Sequence, residues 1–99
     1  MPCYHLHKIT KSNKSEKKMM AIFTDCHSDR QKTVHFGAAG MSDYTIHKDP
    51  ERKKRYLDRH RKNENWNDPT TPGSLSRYIL WNKESLRASI ADYKRKFNF

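Results

Sequence analysis

The hydrophobic pattern of this chain changes period once, at Gly37, and that change restricts it to few folds. Before Gly37, three apolar runs of strand length follow one another across polar turns; after it, no strand pattern recurs and the apolar residues fall at helical spacing. Residues 4–10 (YHLHKIT) alternate, with Tyr4, Leu6 and Lys8 on one face and His5, His7 and Ile9 on the other. A polar turn, KSNKSE, leads to KMMAIFT at 18–24, and a second turn, DCHSDR, leads to the β-branched and aromatic run KTVHF at 32–36. The simplest assembly is an antiparallel meander within residues 1–36, followed by a loop over 37–49.

Helix signals then follow in order. Asp49 is an N-cap type, Pro50 suits the first helical position, and Glu51 favours the positive end of the helix dipole, which together predict a helix from Pro50 to about Glu64. The stretch NWNDPTTPG breaks it. Thr71-Pro72 repeats the same logic for a second helix ending near Trp81, with Leu75, Tyr78, Ile79, Leu80 and Trp81 nearly all round, so this helix is expected at the buried centre. A third begins near Glu84, where Leu86, Ile90, Tyr93 and Phe97 form a stripe at steps of four, three and four, opposite Arg87, Lys94 and Lys96. The expected fold class is α+β: a three-stranded antiparallel meander followed by three helices over 50–97, in a single small domain spanning 1–99.

Composition sets limits on this fold. Apolar residues are 33% of the chain, and Leu, Ile, Val and Phe occupy only 15 positions, so aromatic and methionine side chains must supply much of a modest core under a mobile, polar exterior. The net charge of +10 attracts polyanions, of which nucleic acid is the commonest. No apolar run approaches the roughly 18 residues of a membrane span, and the Met-Pro-Cys start lacks the charged and apolar regions of a signal peptide. The expectation is a soluble, intracellular chain with no membrane partner. Cys3 and Cys26, without a dense cysteine framework, are expected as free thiols in a reducing compartment.

The first predicted helix carries the chemistry most open to interpretation. On a wheel of 100° per residue, Arg52, Arg55, Arg59 and Lys62 form one stripe with Lys54 and Arg61 beside it, while Tyr56, Leu57 and His60 face the other way. Guanidinium and ammonium groups on a rigid rod meet phosphates and release counterions, the basis of nonspecific nucleic-acid affinity. The bland alternative is a solubilising face with local ion pairs to Glu51 and Asp58. Trp66, directly after this helix, is a candidate for base stacking, whereas Trp81 and Tyr78 are expected in the core. The FGAAG loop, with Ser42 and Lys48 nearby, has neither a Walker nor a dinucleotide spacing, and a turn accounts for Gly37 and Gly40. Asp43, Tyr44 and Thr45 are expected to tie this loop by hydrogen bonds.

Two metal arrangements can be drawn, and both are poor. Cys3, His5 and His7 with Cys26 and His27 would have to converge from a flat strand, so no metal and no cofactor is expected. His47 and His60 with Asn65 suggest a metal-dependent nuclease, but the spacing lacks acidic companions and His60 sits on the apolar helix face, so no catalytic residue is assigned.

The wording VHFGAAGMSDYTIHKDPERKKRYLDRHRKNENW, followed by LSRYILWNKESLRASI, resembles a family of small uncharacterised proteins encoded by large double-stranded DNA viruses of algae and amoebae. The resemblance implies a viral, DNA-rich setting, in the host cytoplasm or nucleus or in the virion, and no particular activity. From the residues themselves, the expected function is non-catalytic binding of DNA or RNA through phosphates, contacted by Lys48, Arg52, Arg55, Arg59 and Lys62 with Trp66 beside them. The rival is a viral structural or protein-interaction module whose basic face meets an acidic protein partner. DNA against RNA, duplex against single strand, and oligomeric state stay open at this level.

Overall fold

The computed structural model of the chain describes residues 3–99; Met1 and Pro2, the first two residues of the Met-Pro-Cys start, lie outside them. Strands β1 (Tyr4–Lys11), β2 (Lys17–Asp25) and β3 (Gln31–Ala38) form one antiparallel sheet in the order β1-β2-β3. Leu6 pairs with Phe23, Ile9 with Ala21, Ala21 with Val34 and Met19 with Phe36, which places these residues of the three strands on one face, while Met20 and Ile22 alternate onto the other. Strict alternation would put Ile9 opposite Leu6. A β-bulge between Leu6 and Lys8 corrects that expectation: it steps the ladder by one residue, so Ile9 joins Leu6 against the core.

The cysteines are also a correction. Cys3 and Cys26 are joined in a disulfide with Cα atoms 5.4 Å apart, and neither is a free thiol. The β1–β2 hairpin carries two residues 23 positions apart to the same end of the ladder, where the Cys26 N–H donates to the Cys3 carbonyl at 3.0 Å. Both sulfurs are thereby withdrawn from the zinc arrangement drawn above. No cluster of three or more His, Cys, Asp or Glu among the described residues is arranged to hold a metal.

Four helices follow, rather than three. The additional one, α1 (Tyr44–His47), lies inside the segment expected as loop. Asp43 caps it, accepting from the Thr45 N–H at 2.9 Å and from the Thr45 hydroxyl, while its other oxygen pairs with Lys18. Helix α2 (Pro50–His60) starts at the expected cap, with Asp49 accepting from the Glu51 N–H at 3.0 Å. It ends at His60, short of Glu64, because residues 61–64 offer no apolar side chain to hold another turn on the body. Helix α3 (Pro72–Leu75), capped by Thr71, runs without a break into a π-helical segment, Ser76–Leu80. The Trp81 N–H closes that segment on the Ser76 carbonyl at 3.0 Å, an i to i−5 bond. Residues five apart then lie over one another, and Leu75, Ile79 and Leu80 share the buried face. Helix α4 (Leu86–Phe97), capped by Ser85, lays its stripe of Leu86, Ile90, Tyr93 and Phe97 along the same core.

Helices therefore cover one face of the sheet, and the core between them holds Ala21, Phe23, Val34, Phe36, Leu75, Ile79, Leu80 and Tyr93. Each such large side chain stabilises the fold by roughly 1.5–3 kcal/mol relative to exposure. Gly37 lies inside β3 rather than in a turn. Its φ is +79°, and a Cβ there would stand 2.6 Å from Leu80 Cδ1, so glycine is what lets the π-helical segment close on the strand. No helix among the described residues is long and apolar enough to cross a membrane.

Candidate nucleic-acid interface

Helix α2 is attached to the body by an aromatic column. Tyr56 stacks on Trp81 with ring centroids 4.2 Å apart and planes 3° from parallel; His60 packs against Tyr56 at 4.2 Å with its plane tilted by 30°, and His47 packs against Trp81 at 5.3 Å. Lys53 adds a bond from its ammonium to the Asn82 carbonyl at 2.6 Å and lies over the Tyr44 ring. Burial in this column pushes the Tyr56 phenol up to about 12, chiefly by desolvation and secondarily through the Glu64 charge. Desolvation, followed by the neighbouring Arg52 charge, holds the His47 imidazole below its ordinary value. The column also takes up both histidines of the metal-nuclease arrangement: His47 packs on Trp81 and His60 on Tyr56.

Arg52, Arg55 and Arg59 are exposed, and together with Trp81 they line one concavity of about 370 Å³. The helical wheel puts Tyr56, Leu57 and His60 on the opposite side from the arginines. The structure corrects this: the arginine stripe runs along the margin of the packing face, within reach of the tryptophan on which Tyr56 stacks. None of the three guanidinium groups has a carboxylate within ion-pair distance among the described residues, and neither Glu51 nor Asp58 forms the local pair that a self-neutralised face requires. Like charges converge here with no ion pair to a carboxylate among the described residues, so the potential in the concavity is positive.

The other expected contacts divide. Lys48 and Lys62 are exposed near the two ends of α2 and line neither this concavity nor the adjoining cleft. Trp66 is not placed with the arginines. Its indole N–H donates to Glu64 at 2.9 Å and the Arg77 guanidinium lies over its ring at 5.4 Å, so it fastens the α2–α3 connection. Trp81, expected wholly in the core, is instead half-buried and forms part of the basic concavity.

Arg77 and Lys53 belong to the same region, and neither stands out in the sequence. Arg77 packs between Trp66 and Tyr78 and donates to the Trp81 carbonyl at 3.3 Å; among the described residues it has no carboxylate partner, and its Nε is buried without a hydrogen bond. Desolvation lowers the affinity of both side chains for their protons, and their mutual repulsion lowers that of Lys53 further. Positive charge beneath α2 thus adds to the field of the arginines above it. The signal in the sequence that marks it is that Arg77 is the one charged residue between Pro69 and Asn82.

The fold and site define a small α+β protein with a one-sided antiparallel sheet and a basic helix held on its flank. The chain belongs to a family of unknown function (DUF5754), matched over residues 7–60, from β1 to the last residue of α2. The matched segment contains Lys48, Arg52, Arg55 and Arg59, while Lys62, Trp66 and both core-forming helices after α2 lie beyond it. No curated protein and no solved structure matches the chain.

Proposed function

We propose that this protein binds nucleic acid without catalysing a reaction on it, docking phosphates of DNA or RNA on α2. The observation that carries this reading is the convergence of Arg52, Arg55 and Arg59 on one concavity with no carboxylate to neutralise them. Successive arginines rise by about 4.5 and 6 Å along the helix axis, so each guanidinium reaches a different phosphate of a backbone lying along α2. Lys48 and Lys62 extend the same track at its two ends. Affinity of this kind is sequence-tolerant, because phosphates position a strand without reporting its bases.

Mobility-shift titration with duplex DNA, single-stranded DNA, duplex RNA and single-stranded RNA at low salt tests the proposal, with an acidic polypeptide as competitor. Capture of at least one nucleic acid that survives the competitor is the expected result. Failure of all four, together with tight binding of the acidic polypeptide, would replace nucleic acid by an acidic protein partner.

A further inference from the structure

Beside the arginine concavity lies a second one, of about 420 Å³, between α2, the β3–α1 loop and the α3–π helix. It shares Arg59 and Trp81 with the first. Its size falls within the range of small-molecule sites. Phe36 and Leu80 give it an apolar floor, and the stacked Tyr56 and His60 contribute an aromatic wall.

Its polar groups are of three kinds, and the first is cationic: Lys17, Lys18 and Arg59 line the cleft, with Lys18 held by Asp43. The carboxylates of Asp43 and Glu64 are already engaged, the first by Lys18 and Thr45 and the second by His60 and Trp66. The hydroxyls of Ser42 and Ser76 and the Nε2 of His60 make no side-chain hydrogen bond among the described residues and remain available to an incoming ligand. At the rim Met41 is 65% exposed, a large apolar side chain that the fold leaves uncovered.

An apolar, aromatic-walled cleft with a few neutral hydrogen-bonding groups fits a flat heteroaromatic ring, and adjoining guanidinium groups fit the phosphate attached to such a ring. We infer that the cleft takes the base of an unpaired nucleotide whose phosphates lie on Arg52, Arg55 and Arg59. A base within a duplex is stacked and paired and cannot enter without being extruded, so the cleft selects single strands, strand ends or free nucleotides over intact duplex. This inference rests on the phosphate-binding reading and deepens it by adding a preference for an accessible base.

The test is fluorescence anisotropy on the full chain at low salt, with a short labelled DNA strand and an abasic strand of equal length and equal phosphate number. The strand with bases is expected to bind about tenfold more tightly than the abasic one. Ser42→Trp, which fills the cleft from its loop wall, is expected to bring that ratio to about one while leaving abasic affinity unchanged. Should Ser42→Trp fail to fold, competition on the unmodified protein replaces it: a nucleoside monophosphate is expected to displace the strand at lower concentration than deoxyribose phosphate. Equal binding of the two strands by the unmodified protein overturns the cleft assignment and leaves phosphate docking standing, whereas binding of neither strand overturns both. The source of the nucleotide is read from the monophosphate itself, which binds as tightly as the strand if free nucleotide is the ligand and about a hundredfold more weakly if a strand is.

Discussion

The body and the flank of this molecule are held by different means. Under the sheet, Ala21, Phe23, Leu75, Ile79 and Tyr93 are each 0% exposed and the helices share one continuous core with the strands. Helix α2 buries one residue, Tyr56, and leaves Arg52, Arg55 and Arg59 in solvent. The contrast teaches a division of labour. Burial makes the body stable, whereas α2 is positioned by a single aromatic column, a cap and one lysine bond, so most of its surface is available to meet a ligand.

The contrast breaks most sharply on the body side. Ile79→Ala is expected to cost about 2–5 kcal/mol in a denaturant titration, because it empties a site in the centre of the core. Tyr56→Ala is expected to cost less than half as much globally, yet to raise amide exchange along α2 toward that of an unfolded segment while β2 stays protected. An equal global cost for the two would show that α2 is part of the body's cooperative unit. Next in size is the disulfide. Replacing Cys3 and Cys26 with Ser should lower stability by about 3 kcal/mol through loop entropy, measured under non-reducing conditions, with nucleic-acid affinity unchanged because the bridge lies in the β1–β2 hairpin.

Smaller effects separate the regions further. Asp49→Ala removes the α2 cap and should cost about 1 kcal/mol, seen as faster exchange in the first turn of α2 alone. Acid should loosen the flank before the body. His47 has its proton affinity depressed in the fold, so its contribution is present above the ordinary value of about 6.5 and is lost as the pH falls through the lower folded value. Asp92, held low mainly by the Asn82 amide, and Asp68, held low mainly by the Thr70 N–H, act in the same direction at lower pH. Their contributions are present above about 3.9 and lost as the pH falls through their depressed values. Tyrosine and tryptophan fluorescence should therefore report a change around the aromatic column at a pH where far-ultraviolet circular dichroism of the sheet is still constant. Coincident transitions would contradict the division.

Much of the body was legible because its signals are local. Alternation marked the strands, Asp49-Pro50 and Thr71-Pro72 marked two helix starts, and the stripe from Leu86 to Phe97 marked the last helix. The features that escaped depend on partners distant in the chain. The bulge at His7 exists only in register with β2, the disulfide only after the hairpin brings its ends together, and α1 is four residues held by an Asp43 that also needs Lys18. The π-helical segment has no single-residue signature; it is set by the fit of Leu80 against Gly37. For the site, the arginine stripe follows from helical spacing alone. The concavity it forms with Trp81 depends on how α2 docks, which periodicity does not report, and the same dependence explains why Trp66 proved to be a fastening and Arg77 was passed over.

Docking of phosphates on the α2 arginines makes the salt dependence of binding the sharpest readout. Replacing Arg52, Arg55 and Arg59 together with Gln keeps helix propensity and touches no residue of the core, so circular dichroism and the unfolding midpoint should be unchanged. If each arginine neutralises one phosphate of duplex DNA, the slope of log affinity against log salt becomes shallower by about 2.7, and the loss of affinity is similar for unrelated sequences. An unchanged slope in a folded triple variant would contradict the account and move the phosphate contacts off α2.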